Sequence, residues 1–198
     1  MITTRIGVTR YFGRLAALGA AAVLATGAGL AAHPSAAQAE SYYKLSAHHD
    51  ALLIDVEGGS TKARAPIVQW YDNGGTNQHW TLPLELRDYL SASGTIRNQR
   101  SGMCLTTDGV AGHQLFQYPC QYRANGDPVA GQGWNVERVS AEGIRWYSTR
   151  LQSTAFGLFA DVSGYSYRPG APIVAWYQGT PGPYSNFALN QVFEQFAA

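Results

Sequence analysis

Residues 55–71 read DVEGGSTKARAPIVQWY, and residues 161–177 read DVSGYSYRPGAPIVAWY, the same pattern 106 positions later. Ten of the 17 positions are identical without a gap, which chance does not produce in a chain of 198 residues. Each stretch is followed by a similar segment, Asn77-Gln78-His79-Trp80 in the first case and Asn190-Gln191-Val192-Phe193 in the second. The chain therefore contains a repeated structural unit.

A third, weaker copy lies between these two. Its parts are Cys104-Leu105-Thr106-Thr107, Leu115-Phe116-Gln117-Tyr118 and Gly131-Gln132-Gly133-Trp134. The three Gln-x-aromatic ends begin at Gln78, Gln132 and Gln191, so they are 54 and 59 residues apart. We expect three units at about 42–88, 89–138 and 139–198, which leave no room for a further domain.

Each unit consists of about four short runs of strand character, which in the first unit are Tyr43 to Leu45, Leu52 to Val56, Ile67 to Tyr71 and His79 to Leu82. Turn signals separate such runs: Gly58-Gly59, Asn73-Gly74-Gly75, Ser91 to Gly94, Asn125-Gly126-Asp127 and Pro181-Gly182-Pro183. No helical period of apolar residues persists beyond about two turns. The sequence predicts an all-β fold in which three units share one core and the strands close into a barrel.

The first 39 residues have the features of a secretory signal peptide. Arg5, Arg10 and Arg14 precede an uncharged stretch from Leu15 to Ala32, and Ala37-Gln38-Ala39 is an A-x-A cleavage site. A membrane anchor is the alternative, because 18 apolar residues come near the length that spans a bilayer. The stretch is rich in Ala and Gly and only weakly apolar, so we expect cleavage, export and a mature domain of residues 40–198.

The charge balance argues against nucleic acid as a partner. The formal net charge of the chain is +1. Removing the three leader arginines from 14 basic residues leaves 11 against 13 acidic residues, a net charge of −2. Phosphate binding requires clustered Lys and Arg, which the mature chain lacks.

In an oxidising compartment Cys104 and Cys120 could form a disulfide, the alternative being two free thiols.

The three units, each ending in Gln-x-Trp or Gln-x-Phe, resemble the ricin B-type lectin domain. In the middle unit the Cys-Leu pair and the later Tyr-Pro-Cys also fit that family. The resemblance covers nearly all of the mature chain. It implies a β-trefoil, a six-stranded barrel capped by three hairpins with pseudo-threefold symmetry, in which each unit can hold one shallow sugar site.

The resemblance also assigns the site residues. The carboxylate, the aromatic platform and the amide of the first unit would be Asp55, Trp70 and Asn77, with Gln78 more suited to bracing the loop. A carboxylate accepts hydrogen bonds from sugar hydroxyls, an amide both donates and accepts, and an aromatic face covers the C–H patch of a pyranose. The same roles in the third unit would belong to Asp161, Trp176, Asn190 and Gln191.

Each of these residues also has an ordinary structural explanation. Asp55 and Asp161 precede turns, where Asp often bonds its own backbone. The two platform tryptophans could be core residues, as we expect for Trp80, Trp134 and Phe193, and Asn77 could be a turn residue. In the middle unit Thr106 and Gly131 stand where the carboxylate and the amide would be, so only Tyr118 remains and we expect no sugar site there.

No pattern in the sequence points to catalysis, a metal or a cofactor. His48-His49-Asp50 looks like a metal cluster, but adjacent strand residues point to opposite faces. The expected function is a secreted, non-enzymatic lectin with two sites that binds galactose-type or cell-wall glycans. A trefoil that binds proteins, such as a protease inhibitor, through the loop from Gln178 to Leu189 is the alternative. A glycosidase is a third, weaker hypothesis, and the oligomeric state is left open.

Overall fold

A computed structural model describes residues 40–83, 91–139, 148–179 and 188–198. These residues contain 11 strands and no α-helix. In the first unit the strands are β1 (Tyr43–Ala47), β2 (Leu53–Val56) and β3 (Ile67–Trp70). In the second they are β4 (Ser91–Gly94), β5 (Cys104–Thr106), β6 (Phe116–Tyr118) and β7 (Trp134–Arg138). In the third they are β8 (Ser148–Ser153), β9 (Phe159–Val162), β10 (Ile173–Trp176) and β11 (Phe193–Ala197).

The barrel wall is an antiparallel path from β4 through β7, β8 and β11 to β1. Trp80 closes it, because this residue forms single bridges to Tyr43 on one side and to Asn98 on the other. Three hairpins lie outside the wall: β2 with β3, β5 with β6, and β9 with β10. Six wall segments and three hairpins make a β-trefoil, and the predicted all-β fold of three repeat units is confirmed.

The hairpins meet around the pseudo-threefold axis. The Ile67 amide donates to the Leu115 carbonyl at 2.9 Å, and the Leu115 amide donates to Ile173 at 2.8 Å. All three side chains are fully buried. One apolar residue from each hairpin therefore fills the axis, which is why no single unit can form this core alone.

The predicted core aromatics are confirmed. Trp80, Trp134 and Phe193 are completely buried and belong to one cluster that spans the three units. The indole Nε1 of Trp80 donates to the Ile54 carbonyl at 3.1 Å, and that of Trp134 donates to Leu105 at 2.9 Å. Each buried indole N–H therefore has a hydrogen-bond acceptor. Both tryptophans can thus contribute their full apolar area to the core.

Two details of the predicted strand pattern are wrong. Ser91 to Gly94, a turn signal in the sequence, is strand β4, with Gly94 opposite Trp134 of β7. A Cβ on Gly94 would lie 2.9 Å from Pro83. The glycine is therefore explained by the close approach of a neighbour, and it does not mark a turn. The run from His79 to Leu82 contributes only the single bridges of Trp80.

Cys104 and Cys120 form a disulfide with a Cα–Cα distance of 5.0 Å. Cys104 begins β5 and Cys120 follows β6, so the bond ties the two ends of the middle hairpin together. The predicted bond is confirmed. The turn predicted at Pro181-Gly182-Pro183, most of the loop from Gln178 to Leu189 and the leader lie outside the described residues.

Candidate functional site

Two buried carboxylates lie at equivalent places in the first and third units. Asp55 is in β2 and Asp161 is in β9, each directly before the last residue of its strand. Neither side chain bonds its own backbone as a turn aspartate would. Instead, the amides of the following polar segment donate to them: Asn77 Nδ2 and Gln78 Nε2 reach Asp55 Oδ2, both at 2.8 Å.

The third unit repeats this arrangement. Asn190 Nδ2 donates to Asp161 Oδ1 at 2.9 Å, and Gln191 Nε2 donates to Asp161 Oδ2 at 2.8 Å. Gln191 Nε2 also donates to the Tyr177 carbonyl at 2.7 Å, and its Oε1 accepts from the Gly179 amide at 3.1 Å. A fully buried glutamine with three such bonds holds the loop behind the carboxylate in place.

Gln78 is bound in the same way in the first unit. Its Nε2 donates to the Tyr71 carbonyl at 2.7 Å, and its Oε1 accepts from the Asn73 amide at 3.0 Å. The Asn73 side chain adds a third donor to Asp55 Oδ2, at 3.3 Å. Since Gly179 occupies the place of Asn73 in the third unit, Asp161 has no counterpart to this third donor.

Burial raises the pKa of both carboxyl groups. Desolvation is the largest cause for Asp55, and the three amide hydrogen bonds oppose it. Desolvation also raises the pKa of Asp161, to about 6, against the lowering effect of hydrogen bonds from Gln191 and Asn190. The amide hydrogen bonds therefore favour the ionised form of each carboxyl group against the cost of its burial.

The two platform tryptophans are not core residues. Trp70 ends β3 and Trp176 ends β10, and they are 42% and 45% exposed. The edge of each ring lies against a glycine of a neighbouring unit. A Cβ on Gly170 would lie 3.4 Å from Trp70, and a Cβ on Gly112 would lie 3.1 Å from Trp176. Each indole thus rests on another unit and leaves much of its surface open to solvent.

A cavity opens at each carboxylate. The first has a volume of about 450 Å³, and the predicted residues Asp55, Trp70 and Asn77 all line it. The second has a volume of about 440 Å³ and is lined by Asp161, Trp176 and Asn190. The structure therefore brings the three predicted residue types together twice, while the two glutamines stand behind the carboxylates and do not line either cavity.

The middle unit has the bracing glutamine without the carboxylate. Gln132 Nε2 donates to the Thr106 hydroxyl at 3.3 Å and to the Pro119 carbonyl at 3.0 Å. The Thr106 hydroxyl in turn donates to the Cys104 carbonyl at 2.9 Å. Asp108, two residues after Thr106, pairs with His113 at 2.8 Å on the surface. In the described ranges, no carboxylate of the middle unit therefore reaches the position that Asp55 occupies in the first.

Phe156 also fills the place in the middle unit that corresponds to the first cavity. A Cβ on Gly109 would lie 2.6 Å from this ring, and a Cβ on Gly131 would lie 3.7 Å from it. These glycines correspond to Gly58 and Asn77, which line the first cavity. Because Phe156 comes from the third unit, the alignment of the repeats gives no sign that it covers the middle one.

Sequence reasoning missed several residues that line the cavities. Glu57, Asn73 and Arg100 line the first, and Ser163 and Tyr165 line the second. The repeat itself could have drawn attention to Glu57, Ser163 and Tyr165, since they lie inside the matched stretch at positions where the copies differ. Arg100 carries no such signal, because it reaches the first cavity from the middle unit.

The cluster His48-His49-Asp50 does not gather around one point. His48 Nδ1 is 3.0 Å from Glu194 Oε1, whereas His49 Nε2 donates to the Ser166 carbonyl at 2.9 Å. The three residues form a turn and not the strand that we expected. Even so, the two imidazoles contact different partners. The described part of the chain holds no group of three or more metal-binding side chains. Nor does it contain a helix of the length and apolar character that crossing a membrane requires.

The barrel, the three hairpins and the repeated cavities define a β-trefoil protein. Residues 35–118 match the family model described as "Ricin-type beta-trefoil lectin domain-like". Together with solved ricin B-like lectins of the same fold, this match supports a ricin B-type β-trefoil. None of the curated proteins compared with the sequence matches it significantly.

Solved structures support the fold over four-fifths of the chain. The ricin B-like lectin of Macrolepiota procera, solved in complex with lactose, has 21% identity and a TM-score of 0.58 and covers 81% of this chain and 98% of that one. A designed threefold-symmetric protein, ThreeFoil, has 24% identity and a TM-score of 0.60, with coverages of 79% and 99%.

One similar structure is an enzyme. An exo-beta-1,3-galactanase from Clostridium thermocellum has 27% identity and a TM-score of 0.62, over 80% of this chain. The alignment spans only 30% of the galactanase chain. The ricin B-type fold supports a carbohydrate-binding lectin, and the lectin-like match is typical of a binding module.

Proposed function

We propose that the protein is a secreted, non-enzymatic lectin with two shallow sugar sites, at Asp55 in the first unit and at Asp161 in the third. One observation carries the proposal. Two cavities at equivalent positions each combine a buried carboxylate, an amide and a half-exposed indole. Residues kept only for folding would not need an exposed tryptophan beside a carboxylate that is costly to bury.

The hydrogen bonds at Asp55 leave one oxygen free for a ligand. All three amides donate to Oδ2, and Oδ1 receives no hydrogen bond from the described residues. A sugar hydroxyl could donate to Oδ1, and the charge on the carboxylate would strengthen this bond. Trp70 would cover the C–H patch of the same ring, so polar and apolar parts of a pyranose would both be satisfied.

The ligand we propose is a galactose-type sugar or a plant cell-wall polysaccharide. Similar structures support this class: the Macrolepiota procera lectin was solved with lactose, and an earthworm R-type lectin was solved with GalNAc. Shallow sites bury little area, so each should bind a monosaccharide at about 0.1–1 mM. Two sites on one rigid domain would bind a polymer more tightly, by up to about 10²–10⁴.

A calorimetric titration with monosaccharide tests the number of sites. The wild-type protein should bind two equivalents, and the Asp55→Ala and Asp161→Ala variants should each bind one. The double variant should bind none, while its unfolding transition shows that it is still folded. Three equivalents in the wild type, or binding that persists in the double variant, would contradict the assignment of the sites.

Secretion and the absence of catalysis have their own tests. The exported protein should begin near Glu40, which the mass of the intact protein measures. Catalysis by paired carboxylates has little support, since Ser163 stands in the third unit where Glu57 stands in the first. Aryl glycosides incubated with the protein should therefore release no phenol. The protein-binding alternative relied on the loop from Gln178 to Leu189, and the two cavities favour sugar over it.

A further inference from the structure

At one equivalent position the two cavities have the same backbone conformation and different side chains. Gly59 lines the first cavity and Tyr165 lines the second, and both residues have a left-handed backbone, with φ of 63° and 55°. Glycine adopts this conformation freely, whereas for a bulky side chain it is an outlier. Such strain persists mainly where a side chain serves a ligand site. The third unit therefore bears a conformational cost that the first avoids.

Neighbouring rings hold the Tyr165 side chain in place. Its centroid is 4.6 Å from the His49 imidazole and 5.8 Å from the Tyr167 ring. The His49 side chain is almost fully buried, and its Nε2 donates to the Ser166 carbonyl at 2.9 Å. An aromatic surface fixed in this way loses little side-chain entropy when a ligand contacts it.

The described residues give the first cavity no such second aromatic surface. Beside Gly59 lies the guanidinium of Arg100, whose Cζ would be 3.5 Å from a Cβ at that position. Among the described residues, the aromatic lining of the first cavity is Trp70, whereas the second has Trp176 together with Tyr165. One indole is enough to cover the apolar face of a single pyranose.

We propose that Tyr165 is a specificity-determining residue that makes the third site selective for two or more linked sugars. Trp176 covers the residue whose hydroxyls bind Asp161, and Tyr165 covers the next residue of the chain. The first site, which has Gly59 here, binds a single residue. This inference rests on the proposed lectin function and adds the length of glycan that one of the two sites recognises.

The test uses the Asp55→Ala variant, in which only the third site is left. Its affinities for methyl β-galactoside and lactose are compared by titration calorimetry, and a second pair is methyl β-xyloside and xylobiose. Whichever pair of ligands binds, the disaccharide should bind about fivefold more tightly than the methyl glycoside. This is the gain expected from one aromatic contact. Adding Tyr165→Gly should remove this difference, because the disaccharide loses more affinity than the methyl glycoside.

Tyr165→Gly copies the residue of the first unit and relieves the strained backbone, so the variant should fold. The control is Tyr122→Ala, since Tyr122 is 55% exposed and lines neither cavity; it should keep the fivefold difference. An unchanged ratio in Tyr165→Gly, or an equal loss for both ligands, would overturn the proposal. If no glycoside or polysaccharide binds the wild-type protein, the lectin proposal itself is wrong.

Discussion

Gly112 of the middle unit lies against the indole of Trp176 in the third unit. A Cβ on this glycine would come within 3.1 Å of the ring, tighter than most real Cβ contacts. The Gly112 amide also donates to the Ala175 carbonyl at 2.7 Å, one residue before the tryptophan. The orientation of the Trp176 indole therefore depends on a residue from another unit, so the proposed third site includes part of the middle unit.

Replacing Gly112 by Ala should weaken sugar binding at the third site by displacing Trp176. The substitution also introduces backbone strain, because φ at Gly112 is 87°. Gly126→Ala is the matched control: its φ is also 87°, but no atom of the described residues lies within 4 Å of the added Cβ. Both variants should lose about 1 kcal/mol of stability. Calorimetry in the Asp55→Ala background should show weaker binding for Gly112→Ala only, and equal affinities would contradict this contact.

Truncating a platform should affect binding, whereas truncating a core tryptophan should affect stability. Trp70→Ala and Trp176→Ala each remove a half-exposed ring, so we expect weak sugar binding and a nearly unchanged melting temperature. Trp80 is fully buried, and Trp80→Ala should lower the free energy of unfolding by about 3–5 kcal/mol. Denaturant unfolding and titration of the same samples measure both effects. Equal destabilisation by Trp70→Ala and Trp80→Ala would make Trp70 a structural residue.

The disulfide should support the fold without supporting binding. Cys104 and Cys120 are 16 residues apart, and a loop of about 15 residues closed by a disulfide gives about 3 kcal/mol in the chain-entropy model. Replacing both cysteines by serine should lower the melting temperature while two equivalents of sugar still bind. Peptide mapping without reductant should recover the two cysteines as one linked pair. Two free thiols in exported protein would refute the bond.

The repeated stretch was enough to predict an all-β fold of three units with one core, because the cause of that fold is local, whereas the trefoil followed from the resemblance to a known family. Alternating apolar residues and glycine turns mark each hairpin, and three copies that each end in a buried aromatic must share one core. The prediction failed at Ser91 to Gly94, where a strand of small residues pairs with β7. The residue types of this segment are typical of a turn. It forms a strand because of its pairing partner and its close contacts.

The parts of the candidate site that lie within one unit could also be predicted from the sequence. Asp55, Trp70 and Asn77 come from one repeat and line one cavity. Contacts between units could not be predicted, since no pattern in a single copy encodes them. Phe156 over the middle unit and Gly112 beneath Trp176 are contacts of this kind. The asymmetry of a pseudo-symmetric protein therefore depends mostly on the interfaces between its repeats.

Sugar binding at the third site should depend on pH, with a midpoint near 6. Burial raises the pKa of Asp161 to about 6, and the proton that it gains removes the charged acceptor for sugar hydroxyls. In the Asp55→Ala variant, affinity should fall between pH 7.5 and pH 5. In the Asp161→Ala variant, which reports on the first site, the fall should come at lower pH because Asn73 gives Asp55 an additional donor. Titrations across this range compare the two midpoints.

Stability should change in the opposite direction to binding. The folded pKa of Asp161 lies above the value of about 3.9 of an unfolded chain, so the folded state binds this proton more tightly. The contribution of Asp161 to stability therefore falls as the pH rises from about 4 through 6, and it is least favourable at neutral pH, where we expect the proposed site to bind sugar. Asp161→Asn removes the titrating group. Relative to this variant, the wild-type protein should become more stable as the pH falls from 7.5 to 5, and denaturant unfolding at both pH values measures the difference. If the difference between the two proteins is the same at both pH values, Asp161 does not titrate in this range and the pH dependence predicted for binding is also wrong.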